Sequence, residues 1–254
     1  MKMKWNVPYC YIPGSRHLDA GSESQDNVLA KLTDDFVCVV MADGAGSVKN
    51  GGEGAKLVTN VARSVLVDWN TDIFDMTEDS LREELITELK IQLHELAREK
   101  DCEFESFAST FLFFAADGKR FLAGNLGDGL IGVINEQNQA ETLLAPENGN
   151  FLNESFFVTD DDCINHLRLI SGKYSLSNIY FLMTDGSCDC LYDRNAKTFA
   201  DALSVFADWT RRYDHRAVTD ALRTTMYKLF TKRTLDDCAI ALIRGEKKEV
   251  KGSF

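Results

Sequence analysis

Proline is scarce in this chain, three residues in 254. No Pro-rich linker divides it and no internal repeat is visible, so one domain over residues 1–254 is the expected count. Positive charge is also short. Lys and Arg number 28 against 40 Asp and Glu, a formal net charge of −12. That balance excludes a surface built for nucleic acid or anionic lipid and favours divalent cations wherever Asp side chains gather. No uncharged run reaches the 18 or more residues of a membrane-spanning helix. The opening MKMKWNVPYCYIPGS has no apolar core of a secretion signal. Seven cysteines include no C-x2-C pair, only Cys188-x-Cys190. The odd count and the missing spacing argue against a disulfide framework and a zinc site; reduced, buried thiols in a cytoplasmic protein are expected.

Familiar glycine signatures are missing as well. A G-x-G-x-x-G pattern counted from Gly44 meets Lys49 where glycine is needed, and a P-loop counted from Gly46 fails at Gly51-Gly52-Glu53. The acidic spacing of an EF-hand is absent.

What is present centres on residues 36–55, FVCVVMADGAGSVKNGGEGA. The uncharged run from Phe36 suits a strand buried on both faces. It stops at Asp43-Gly44, and a helical pattern follows through Ala55, Val58, Ala62, Val65, Leu66 and Trp69. Earlier, residues 3–12 read as a strand whose Pro8 fits an edge. A polar loop, Gly14 to Asn27, leads into a second strand at 28–32. Pairing of that strand with the one ending at Asp43 would bring Asp26 and Asp43 to one end of a sheet.

A second amphipathic helix runs through Leu81, Leu85, Ile86, Leu89, Leu93 and Ala97, with His94 beside the apolar stripe on the solvated side. From Ser106 the texture turns to β. SFASTFLFFAA and KRFLAGNL flank Asp117-Gly118, a two-residue hairpin signal. LIGVIN and AETLLA continue an antiparallel sheet. Residues 146–178 read as an irregular, polar surface segment, with Asp160-Asp161-Asp162 a solvated turn. Asn178–Met183 is another strand, ending at Asp185-Gly186. Helices are expected near 199–209 and 217–230. CAIALI, opened by Asp236-Asp237, is a closing strand, with a charged, frayed tail beyond Gly245.

Asp26, Asp43, Asp128, Asp185 and Asp236 all fall where a strand meets a loop. Oxygen donors in that number suit Mg²⁺ or Mn²⁺ ions that keep several waters. Two such ions activate water and neutralise a phosphate for in-line attack.

In order along the chain, SESQDNVLA, VVMADGAGSVKNGGEGA, SFASTF, GNLGDGLIGVI, GNFLNESFFVT, YFLMTDG and DDCAIALI resemble the metal-dependent serine/threonine phosphatases of the protein phosphatase 2C (PP2C) family, in its compact bacterial branch. The resemblance runs from about residue 14 to 243. It implies an α+β fold, a four-layer α-β-β-α sandwich with two central antiparallel sheets. It also implies a phosphoprotein substrate, a partner Ser/Thr kinase and a monomer, with no nucleic-acid or membrane partner. Carried over by position, Asp43 bridges two Mg²⁺ or Mn²⁺ ions and the Gly44 carbonyl binds one of them. Asp185 and Asp236, the first acid of the Asp236-Asp237 doublet, bind the other ion. Asp26 holds metal-bound water, and Asp128 with Asp185 is the place for a third ion.

Two positions depart from the commoner family pattern. Gln25 stands before Asp26 where an acid or amide is usual, and Gly21 stands where a phosphate-binding arginine is common. His17, nine residues before Asp26, matches a histidine of some bacterial relatives and is a candidate to protonate the leaving group or bind phosphate. Arg16 is a substitute phosphate anchor. The leading expectation is hydrolysis of phosphoserine and phosphothreonine; a catalytically weak phosphoprotein-binding regulator and a structural divalent-ion protein are the alternatives.

Overall fold

The computed structural model describes residues 2–147 and 155–248. In chain order the strands are β1 Met3–Asn6, β2 Tyr9–Ile12, β3 Asp26–Leu32, β4 Val37–Asp43, β5 Phe111–Ala116, β6 Arg120–Leu126, β7 Leu130–Ile134, β8 Ala140–Leu144, β9 Arg168–Lys173, β10 Ile179–Met183, β11 Tyr192–Asp193, β12 Thr198–Phe199 and β13 Cys238–Lys247. The α-helices are α1 Ser15–Ala20, α2 Gly51–Trp69, α3 Glu78–Lys100, α4 Cys163–His166, α5 Asp185–Leu191, α6 Asp201–Arg212 and α7 His215–Leu229.

Two antiparallel sheets stack face to face, one ordered β3-β4-β5-β6-β9 and the other β1-β13-β10-β7-β8, with β2 also paired to β13. The strand alternation explains the layering. In β4, Val37, Val39 and Met41 point between the sheets, while Cys38, Val40 and Ala42 point outward under α2 and α3. β5 repeats this, with Leu112 and Phe114 inward and Phe111 and Phe113 outward. On the other sheet, Tyr180, Leu182, Ala239 and Ala241 face the interior, and Ile179, Phe181, Ile240 and Leu242 face α5, α6 and α7. Both faces of each central strand are covered, so these segments read as continuous apolar runs rather than alternating ones. The result is the α-β-β-α sandwich, with three apolar interfaces between four layers. Leu66 and Phe113 in the outer layer are fully buried; truncating such side chains typically costs about 2–5 kcal/mol.

The helices take their expected faces. Ala55, Val58, Ala62 and Leu66 of α2 are buried, as are Leu81, Leu85, Leu89 and Leu93 of α3. Thr77 caps α3 by accepting from Ser80 N–H at 3.2 Å, and Asp214 caps α7 by accepting from Arg216 and Ala217 N–H. The cysteines are free, and all but Cys102 are buried.

Several expectations need correction. The helix after Asp43 begins before Ala55: Gly51, Gly52 and Gly54 form the first turn of α2, where a Cβ on Gly54 would stand 2.0 Å from the Phe107 carbonyl oxygen. The loop around His17 is partly helical, since Ser15–Ala20 make α1, ended by Gly21 in the left-handed region at φ 64°. That conformation gives Gly21 a structural reason of its own. The hairpin at Asp117-Gly118 has a three-residue loop, with Asp117 accepting from the N–H groups of Lys119 and Arg120. The run β5 to β8 is not one sheet: the chain leaves one sheet after β6 and joins the other at β7. Within residues 146–178, expected to be irregular, Arg168–Lys173 is a strand, paired to β6 at the sheet edge. Lys247 still pairs with Met3, so the closing strand outlasts Gly245. Residues 148–154, including much of GNFLNESFFVT, and the tail 249–254 lie outside the described residues.

Candidate metal centre

Asp26 opens β3 and Asp43 closes β4, and the two are direct partners across that antiparallel pair. The backbone at Asp43 is fixed by Thr110, whose hydroxyl accepts the Asp43 N–H at 3.0 Å and whose N–H donates to the Asp43 carbonyl at 2.8 Å. Asp26 is buried. Its Oδ2 accepts from the Thr184 hydroxyl at 2.7 Å, and Oδ1 has no hydrogen-bond partner among the described residues. Thr184 also accepts the Ala239 N–H at 2.9 Å. One hydroxyl thus links the end of β10, the start of β13 and the first carboxylate of the other sheet.

Asp185 begins α5 immediately after β10. Gly186 lets this helix start sit against the closing loop: a Cβ there would lie 2.1 Å from the Asp237 carbonyl oxygen. Asp128 sits in the crossing between sheets, a turn held by Gly127 at φ 107° and by the buried Asn125 amide donating to the Gly129 carbonyl at 2.8 Å. Its carboxylate accepts from the Ser155 hydroxyl. Asp236 is exposed on the loop before β13. Gly44 follows Asp43, with its N–H on the Gln25 carbonyl at 3.2 Å; its own carbonyl accepts no hydrogen bond among the described residues.

These carboxylates disturb one another. Burial, then the charge of Asp185, pushes Asp26 well above the ordinary range. Burial, then Asp26 and Asp185, does the same to Asp43. Asp185 is pushed up to about 7 by burial and by Asp128 and Asp236. Asp128 is raised mainly by burial. Among the described residues no Lys or Arg is ion-paired with Asp26, Asp43, Asp128, Asp185 or Asp236. Five acids with no ion-paired Lys or Arg among the described residues, one of them carrying a buried oxygen that has no partner there, form an array that calls for an external cation. Among the described residues no group of three or more His, Cys, Asp or Glu side chains is drawn together closely enough to hold a metal ion as it stands. An open array of carboxylates fits Mg²⁺ or Mn²⁺, which keep much of their water, better than an ion fully wrapped by protein.

The family model described as protein phosphatase 2C matches residues 13–226. The chain belongs to the protein phosphatase 2C family. A curated relative, serine/threonine-protein phosphatase 3 of Escherichia coli strain K12, is 30% identical over 171 residues, 65% of this chain and 67% of its own. Among solved structures, a bacterial serine phosphatase aligns with a TM-score of 0.72 at 18% identity, covering 97% of this chain and all of that one. The serine/threonine phosphatase Stp1 of Staphylococcus aureus gives 0.69 at 18% identity, over 95% of each chain. The catalytic domain of PstP, a serine threonine protein phosphatase solved in complex with two manganese ions, gives 0.62 at 12% identity, over 96% of this chain and 99% of that one. These structures share the PP2C fold seen here.

Of the residues singled out from the sequence, the fold brings Asp26, Asp43, Asp128, Asp185 and Asp236 into mutual electrostatic contact. Arg16 is exposed and, among the described residues, has no ion pair, its backbone N–H donating to the Leu235 carbonyl at 3.3 Å. His17 is not hydrogen-bonded to any of those five; its Nδ1 lies 2.7 Å from Asp237 Oδ1. Sequence reasoning missed Asp237 and Thr184. The sequence shows the doublet at 236–237, but only the packing of the loop before β13 separates an exposed Asp236 from a buried Asp237. Nothing in the sequence marks Thr184, whose role depends on two strands meeting.

Proposed function

We propose that this chain hydrolyses phosphoserine and phosphothreonine on proteins, using two Mg²⁺ or Mn²⁺ ions. The observation that carries this is the gathering of five aspartates from separate loops, none of them ion-paired with a Lys or Arg among the described residues. When bound, the ions supply neutralisation of the phosphate and a lowered pKa for the attacking water.

The chain's own groups take distinct parts. Asp43, facing Asp26 across the strand pair, is the carboxylate able to serve both ions, with the Gly44 carbonyl beside it. Asp185 and Asp236 would hold the second ion, and Asp128, whose charge acts on Asp185, would take part in binding a third. The family match ends at residue 226, so Asp236 enters on its electrostatic contact with Asp185 and Asp128 rather than on that match. Asp26, oriented by Thr184, would hold metal-bound water through the oxygen that has no partner among the described residues. His17 gives a proton to the departing serine or threonine oxygen, and Arg16 meets the phosphate from the exposed side of α1. The substrate is a phosphoprotein supplied by a Ser/Thr kinase.

Turnover of p-nitrophenyl phosphate and of a phosphoserine peptide, with Mn²⁺ and with a chelator, tests this. Turnover that depends on the metal supports the assignment. Binding of phosphopeptide without turnover would favour a regulator that keeps the fold.

A further inference from the structure

Asp237 is 1% exposed, and both of its oxygens are engaged. Oδ1 accepts the Gly14 N–H at 2.7 Å and lies 2.7 Å from His17 Nδ1; Oδ2 accepts the Gln25 N–H at 2.5 Å. One carboxylate at the head of β13 therefore grips the chain at three points that precede β3. The seating is close: a Cβ on Gly14 would stand 2.3 Å from the Asp236 carbonyl oxygen. Gln25 is the residue before Asp26, so the group that holds the His17 ring also fixes the backbone beside the Asp26–Asp43 pair.

We propose that Asp237 is the positioning residue for His17. It holds the imidazole with the hydrogen on Nδ1, so that Nε2 is the nitrogen left to exchange a proton with the leaving oxygen of the substrate. Oδ1 already accepts from a backbone N–H, and a carboxylate accepting at that oxygen meets a ring nitrogen only if the nitrogen carries the hydrogen. A carboxylate behind a histidine sets tautomer and ring direction and stabilises the imidazolium that donates. In the donating state both ring nitrogens carry hydrogens. The Nε2 hydrogen passes to the serine or threonine oxygen as its bond to phosphorus breaks, and the ring returns to the neutral Nδ1–H form against Asp237. The identity of the proton acceptor rests on the phosphatase reading above; the tautomer does not.

The test uses the full chain and two readouts. The chain has four histidines, so a ¹⁵N-histidine spectrum is simple, and the His17 signals are those lost in His17→Ala. Neutral His17 in the wild type is expected in the Nδ1–H form, and that preference disappears in Asp237→Asn. A wild-type Nε2–H form overturns the proposal, and this readout decides even if Asp237→Asn does not fold. In the second readout, the Mn²⁺-loaded wild type, Asp237→Asn, His17→Ala and the double variant are compared on a phosphoserine peptide and p-nitrophenyl phosphate. Asp237→Asn should lower kcat on the peptide by about 10- to 10²-fold with KM little changed. The loss should be far smaller on p-nitrophenyl phosphate, whose leaving group departs without a proton. It should add little in the His17→Ala background, and Asp237→Glu should recover part of it. Equal losses on both substrates, or a loss fully additive with His17→Ala, would reduce Asp237 to an anchor of the fold. If the wild type shows no Mn²⁺-dependent turnover, the phosphatase reading fails while the tautomer still decides the His17–Asp237 relationship.

Discussion

Asp26 and Asp43 stand directly opposite one another at the ends of β3 and β4, and neither is ion-paired with a Lys or Arg among the described residues. Two carboxylates in that relationship repel, and burial strengthens the repulsion. The consequences can be measured without any substrate.

Metal-free protein should lose stability as pH rises from about 5 to 8. The folded-state pKa values of Asp26, Asp43 and Asp185 lie above those of the unfolded chain. The stabilisation these groups give is therefore full below about pH 4 and is lost as pH climbs through the folded values, about 7 for Asp185. Each extra proton held by the folded state is worth about 1.4 kcal/mol per pH unit. Thermal melts in a chelator across this range check the slope; a Tm that rises with pH would show that the cluster is not repulsive.

Millimolar Mn²⁺ or Mg²⁺ should raise Tm and reverse that slope, because the ions bind the deprotonated carboxylates and so compete with protons. At one hundred times Kd the gain is about 2.7 kcal/mol per site. Calcium should stabilise too but support little turnover, since its looser coordination imposes no octahedral geometry. A melting curve indifferent to Mn²⁺ at pH 8 would remove the basis for a metal site.

Gly186→Ala should damage the site through packing alone. The added Cβ would meet the Asp237 carbonyl oxygen at 2.1 Å, forcing α5 away from the loop that carries Asp236. Overpacking of this kind costs about 1–3 kcal/mol, and separating Asp185 from Asp236 should weaken Mn²⁺ binding by about tenfold or more. Calorimetric titration with Mn²⁺ measures this; unchanged affinity would show that Asp185 and Asp236 do not act on the same ion.

Much of this arrangement could be read from the sequence, for identifiable reasons. β4, β5, β10 and β13 are buried on both faces, so they appear as apolar runs with sharp ends, and the Asp residues sit at those ends. Where burial is one-sided or the element is short, the signal fades. Arg168–Lys173 is an edge strand with half-exposed residues and looked irregular. α1 has no buried residue, and its only sequence mark is the Gly21 that ends it. The change of sheet at Gly127–Gly129 is invisible because a hairpin and a crossing use the same turn residues. Asp236 is singled out as the first acid of its doublet, and its charge reaches Asp185. The work of the second acid depends on segments over two hundred residues earlier in the chain, which no local pattern reports.

Asp43→Asn tests the central claim most directly. Asp43 faces Asp26, and burial with the charges of Asp26 and Asp185 raises its pKa; removing its charge should leave the metal-free protein folded and at least as stable. The measurement is Mn²⁺-dependent turnover of a phosphoserine peptide by wild type and variant, with Tm recorded for both. The expected result is a folded variant whose turnover falls below about a tenth of the wild-type value, since losing a ligand shared by two ions removes several kcal/mol of transition-state stabilisation. A folded Asp43→Asn that keeps more than that tenth would contradict the two-metal assignment.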